Sequence, residues 1–137
     1  MKKLKVFVLE DDMSLRFALT QVLEDSGHCV YAAGDIISAC EILTKTKPDL
    51  LLLDLMIGAI DSVQVADLAG YRFPDAEVIY LTGSNLYPNG ELFGLSRNAS
   101  WILRKPIDFN VLKATIAHFE NSRTKSKLGS SVEVNIV

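Results

Sequence analysis

Five short apolar runs divide this chain, and between them the apolar residues recur at helical spacing. The runs are Lys5 to Leu9 (KVFVL), Cys29 to Ala32, Leu50 to Leu53, Glu77 to Leu81 (EVIYL) and Trp101 to Leu103. Each has the length of a strand, and the third is uninterrupted until it stops at Asp54. Leu15, Leu19, Val22 and Leu23 mark a first helix, with Gly27 placed where a helix would stop. Asp35 can cap a second helix, with Ile36, Ala39, Cys40 and Leu43 inward and Pro48 beyond its end. Ser62 can cap a third, with Val65, Ala66 and Ala69 inward. A weak helix is expected around Glu91 to Arg97, and Asp108 caps a last one bearing Leu112, Ile116 and Phe119 on one face. Strands alternating with five helices imply a parallel sheet covered on both sides. Right-handed crossovers then favour the doubly wound arrangement, an α/β fold.

Length and charge narrow the function. At 137 residues the chain fits one compact domain, expected over residues 1–123, with 124–137 a polar tail or linker. That tail opens basic (SRTKSK) and ends with Val132, Val134 and Ile136 in alternation, so an extra strand is the competing reading. Hydrophobic residues at 49% and charged residues at 23% suit a soluble globular protein. With 14 basic against 17 acidic residues the net charge is −3, which argues against direct nucleic-acid binding or a polybasic membrane anchor. Lys2, Lys3 and Lys5 precede an apolar run, Val6 to Leu9, far too short for a signal peptide or a span. A cytoplasmic location is expected. Cys29 and Cys40 lack metal-ligand spacing and read as a reduced, buried pair in apolar surroundings.

The chemistry lies at the strand ends. Open parallel sheets bind ligands beyond the carboxyl ends of their strands. There this sequence places Glu10, Asp11 and Asp12 after the first strand, Asp54 after the third, Thr82 after the fourth and Lys105 after the fifth. Unit charges about 4 Å apart interact by roughly 4 kcal/mol at an intermediate dielectric, so clustered carboxylates call for a cation. Oxygen ligands without histidine or thiol favour Mg²⁺, which keeps waters that a phosphate can replace. Lys105 offers a mobile positive charge to phosphate oxygens, and Thr82 a hydroxyl. Asp54, flanked by Leu53 and Leu55, stands as a nucleophile would, able to form an aspartyl-phosphate.

The segments VFVLEDDMSLR, LLLDLMIG, VIYLTGS and LRKP resemble, in order, the four signature blocks of the receiver domains of two-component response regulators. The likeness runs from about Lys5 to Ser122. It implies a flavodoxin-like sheet of five parallel strands in the order 2-1-3-4-5, flanked by five helices. Aligned through Arg16, it makes Asp11 a direct metal ligand and Glu10 its partner acting through water, while Asp12 is an acid that does not usually ligate. Asp54 becomes the phospho-acceptor, the backbone carbonyl of Met56 completes the protein's share of the Mg²⁺ shell, and Lys105 pairs with the phosphate. Thr82 is the switch hydroxyl, and the Lys105-Pro106 bond is expected to be cis. The implied activity is a phosphorylation switch loaded by a sensor histidine kinase or histidine phosphotransfer protein, with output through a downstream protein and a homodimer as one form of it. Such a protein catalyses only its own phosphorylation and dephosphorylation.

Three features depart from the family pattern. Ile102 stands where the switch aromatic is expected, the aromatic being shifted to Trp101. In the loop MIGAIDS, Gly58 replaces a proline and Ser62 a glycine, with Asp61 retained. The stretch Asn85 to Arg97 contains Pro88 and Gly90, so a short fourth helix is expected. His28 and His118 are read as structural, Trp101 as an anchor at the strand edge and Asp12 as a helix cap. Two other functions compete. A haloacid-dehalogenase-type phosphohydrolase would want a second acid at the position of Met56. A pseudo-receiver used only for protein contacts would not need Glu10, Asp11, Asp54, Thr82 and Lys105 together.

Overall fold

The computed structural model describes residues 3–83 and 99–128. In chain order it contains β1 (Lys5–Leu9), α1 (Met13–Asp25), β2 (Cys29–Ala33), α2 (Ile36–Leu43) and β3 (Leu50–Asp54). A small hairpin follows, β4 (Met56–Ile57) and β5 (Ile60–Asp61), then α3 (Val63–Arg72), β6 (Glu77–Thr82), β7 (Ala99–Arg104) and α4 (Phe109–Leu128). Five strands form one parallel sheet in the order β2-β1-β3-β6-β7, which is the expected 2-1-3-4-5 once the hairpin is set aside. Four helices lie among the described residues, and the fifth, expected around Glu91 to Arg97, falls outside them. The last helix continues to Leu128, beyond the expected boundary at 123.

Strand alternation sends neighbouring residues to opposite faces. Phe7, Leu9, Leu51, Leu53, Val78 and Tyr80 join the inner residues of α2 and α3 in one core. Val6, Val8, Leu50, Leu52, Ile79 and Leu81 join Leu19, Leu23, Leu112, Ile116 and Phe119 of α1 and α4 in the other. Burying each large aliphatic side chain stabilises by roughly 1.5–3 kcal/mol, so the central strands are clamped from both sides. Strand β3 is buried along its whole length, and that places Asp54 at the middle of the carboxyl edge of the sheet.

Local cap chemistry sets the helix starts. Asp12 accepts from the backbone N–H of Ser14 at 2.9 Å and of Leu15 at 3.2 Å. Asp35 accepts from Ser38 N at 2.8 Å, and Asp108 from Asn110 N at 2.9 Å. The third expected cap is corrected. Ser62 holds the cap position of α3 but makes no capping bond, and Asp61 Oδ1 instead accepts from Val63 N at 3.1 Å. The backbone of Ser62, at φ −93° and ψ 9°, is not the extended conformation that lets Asp12 and Asp35 reach the first turn. Its hydroxyl is buried and has no hydrogen-bond partner among the described residues. The Lys105-Pro106 bond is cis.

Candidate functional site

The site grows from the ends of β1, β3, β6 and β7, each joined to a neighbouring strand by a backbone bond. Leu55 N donates to Leu81 O and Lys105 N to Thr82 O, each at 2.8 Å, and Glu10 N donates to Ala33 O at 3.1 Å. Glu10, Asp54, Thr82 and Lys105 are therefore carried at the hydrogen-bonded carboxyl edge of the sheet. Asp11 follows on the loop before α1 and is exposed.

The three acids come together as the strand ends suggested. Glu10, Asp11 and Asp54 each offer a carboxylate oxygen within 4.8 Å of the others. Lys105 reaches into this cluster, its Nζ donating to Glu10 at 2.9 and 3.2 Å and to Asp54 Oδ2 at 3.3 Å. Asp54 Oδ1 accepts from Met56 N at 3.3 Å, and Asp11 Oδ2 from Gly58 N at 3.3 Å. The hairpin thus feeds two backbone donors to the cluster. Gly58 turns it at φ 63°, a left-handed conformation open to glycine and closed to the proline expected there. A proline would also lack the N–H that Asp11 accepts.

The electrostatics follow from the crowding. Burial, and then the hydrogen bond and charge of Glu10, push Asp54 from 3.8 up to about 7, while Lys105 pulls the other way. Burial lowers the Lys105 ammonium, but its bonds to Glu10 and Asp54 outweigh that and leave it above its usual value. Without a metal, then, a proton competes with a cation for the space among the acids. The donor set is all oxygen, with no histidine or thiol, and suits Mg²⁺ rather than zinc or copper. Asp12 is occupied by its capping role.

The other residues singled out from the sequence take separate places in the fold. Thr82 ends β6, buried, in register with Arg104. Ile102 packs into the α2–α3 core opposite Tyr80 of β6. Tyr80 is a fully buried aromatic on the face of Ile102, and within the run EVIYL nothing in the sequence marks it apart from its apolar neighbours. Trp101 points to the other face, 43% exposed, with its ring 6.1 Å from that of His118. His28 is buried at the far end of the sheet. It accepts from Leu4 N at 3.0 Å through Nδ1, and its Nε2 lies 2.7 Å from Glu120 Oε1. Neither histidine bonds to the acids among the described residues, and Cys29 and Cys40 are both free but only partly buried, where a buried pair was expected.

Comparison with known proteins gives the same picture. The family model described as "Response regulator receiver domain" matches residues 6–117. Sporulation initiation phosphotransferase F of Bacillus subtilis is 31% identical over 119 residues, covering 84% of this chain and 92% of that protein. Response regulator MprA of Mycobacterium leprae is 27% identical over 82% of the chain, which spans about half (49%) of that regulator's length. Among solved structures, a receiver domain protein of Methanospirillum hungatei aligns with a TM-score of 0.77 at 23% identity, covering 91% of this chain and 99% of that one. The regulator TrrA of Thermotoga maritima, crystallised with Mg²⁺ and BeF, aligns at 0.73 and 23% identity, covering 86% and 99%. These structural likenesses concern the fold. Among the described residues, no helix is long and apolar enough to cross a membrane. With the sheet order, the strand-end residues and a family match over most of its length in agreement, this chain belongs to the receiver domains of two-component response regulators.

Proposed function

We propose that the chain is a phosphorylation switch that accepts a phosphoryl group on Asp54, with Glu10, Asp11, Asp54 and the Met56 carbonyl holding Mg²⁺. The observation that carries this reading is the position of Lys105 Nζ, 3.3 Å from Asp54 and 2.9 Å from Glu10, beside three acids within 4.8 Å of one another. An Asp54 oxygen attacks the phosphorus of a phosphohistidine in line, the P–N bond breaks, and the imidazole leaves with its electron pair. Held by Glu10, Asp11, Asp54 and the Met56 carbonyl, Mg²⁺ would supply positive charge beside the transferring group. Lys105 follows the new negative charge from Glu10 to the phosphate oxygens, and the Thr82 hydroxyl turns toward them. The added charge of roughly −1.5 to −2 then biases the neighbouring strand ends, with Ile102 packing into the space that Thr82 leaves. Tyr80, opposite Ile102, supplies an aromatic to that region although position 102 does not.

The donor is a sensor histidine kinase or a histidine phosphotransfer protein in the cytoplasm, and the output is contact with a downstream protein or a second copy. The likeness to sporulation initiation phosphotransferase F over 92% of that protein supports a relay role. The chain catalyses only the gain and loss of its own phosphoryl group. The test is intact-mass measurement after incubation with Mg²⁺ and acetyl phosphate. Wild type should gain one phosphoryl group, and Asp54→Asn should gain none. A gain that survives the substitution, or no gain in wild type, refutes the reading, and steady turnover of a phosphate ester would favour a hydrolase.

A further inference from the structure

The receiver chemistry gives no task to Arg16, a partly buried cation close to the acids. Arg16, on the first turn of α1, points back over the loop that bears Glu10 and Asp11, and its Nη1 donates to the backbone carbonyl of Glu10 at 2.8 Å. The same guanidinium occupies the space where Gly34 would carry a side chain. A Cβ built on Gly34 would fall 2.4 Å from Nη1 and 3.2 Å from Cζ of Arg16. Among the described residues positive φ occurs at Gly27 and Gly58 and not at Gly34, so the Gly34 backbone would accept alanine. What alanine would take away is room.

We propose that Arg16 is a positioning residue for the metal site, acting through the Glu10–Asp11 peptide, and that Gly34 provides the space it needs. The Glu10 backbone is held on both sides, its N–H by Ala33 O at 3.1 Å and its carbonyl by Arg16. That carbonyl belongs to the peptide plane that aims Asp11. The Glu10 side chain is fixed independently by Lys105. Asp11 has less to hold it: it is exposed, and among the described residues its carboxylate accepts from Gly58 N at 3.3 Å. Releasing the carbonyl lets the peptide rotate and swings the Asp11 carboxylate away from Glu10 and Asp54. A cation then has to reassemble a ligand set that Arg16 otherwise keeps formed.

This inference rests on the reading of the acids as a Mg²⁺ site. The test measures Mg²⁺ affinity by calorimetry for wild type, Arg16→Met, Arg16→Lys, Gly34→Ala and the Arg16→Met/Gly34→Ala pair, with thermal unfolding in EDTA alongside. Outer-shell partners of a metal ligand are typically worth 10–100-fold in affinity. Arg16→Met and Gly34→Ala should each weaken Mg²⁺ binding about tenfold, and the pair should be no worse than either, because both remove one contact. Arg16→Lys should retain more affinity than Arg16→Met. In the metal-free proteins, amide exchange at Asp11 should be faster in both single variants. Lower thermal stability with unchanged Mg²⁺ affinity and unchanged exchange would make Arg16 merely structural and overturn the proposal, as would additive effects in the pair. A wild type that binds no Mg²⁺ would overturn the metal-site reading and this proposal together, whereas binding that is equal in all variants overturns this proposal alone.

Discussion

Replacing Asp54 by asparagine should make the metal-free protein more stable, although it removes the residue on which the proposed chemistry depends. The carboxyl lies 6% exposed in a cluster with two other acids, and its pKa rises from 3.8 to about 7. At about 1.36 kcal/mol per pKa unit, keeping it ionised costs the folded state at most about 4 kcal/mol. Water at the mouth of the site relaxes part of this, and asparagine gives up the Lys105 contact at 3.3 Å. A net gain of about 1–3 kcal/mol is therefore expected for Asp54→Asn at pH 8. The sign follows from the direction of the shift. A group whose pKa is raised on folding contributes its stability below the unfolded value and loses it as the pH rises through the folded one. The advantage of Asp54→Asn should grow between about pH 4 and pH 7 and then level off, a window set by 3.8 and about 7. Urea unfolding followed by circular dichroism in EDTA, at pH 5 and pH 8, measures it. In excess Mg²⁺ the order should narrow or reverse, because a bound cation stabilises the fold that holds it. An Asp54→Asn variant no more stable than wild type in EDTA at pH 8, or with a larger advantage at pH 5, refutes the argument.

Two further outcomes are expected. Ser62→Ala should stabilise by about 1 kcal/mol, since its buried hydroxyl finds no partner among the described residues, and a lower urea midpoint would contradict that account. Glu120→Leu should destabilise by about 1–3 kcal/mol by stranding the His28 Nε2–H, whose side chain is 0% exposed, and a change below about 0.5 kcal/mol in urea unfolding would show the contact to be idle.

Strands, helix starts and the acids at the strand ends were legible in the sequence because each depends on near neighbours. A run such as LLLL must be buried on both faces, and Asp12, Asp35 and Asp108 cap because their backbone partners lie two or three residues on. The strand order came from family likeness, and the sheet agrees with it. The expected Ser62 cap failed because its backbone conformation is set by the hairpin before it, a feature invisible in the loop MIGAIDS. Other features needed the tertiary fold outright. Arg16 reads as one more charge on a helix until Gly34, from the connection after β2, is laid beside it. His28 and Glu120 are 92 residues apart, and no spacing rule joins them. Tyr80 and Ile102 become neighbours only through the pairing of β6 with β7. Asp54 itself divides the same way: its place at a strand end is a local fact, but its pKa depends on how deeply the sheet buries it and on which charges the other strands bring alongside, and electrostatic energy depends on distance in space rather than along the chain.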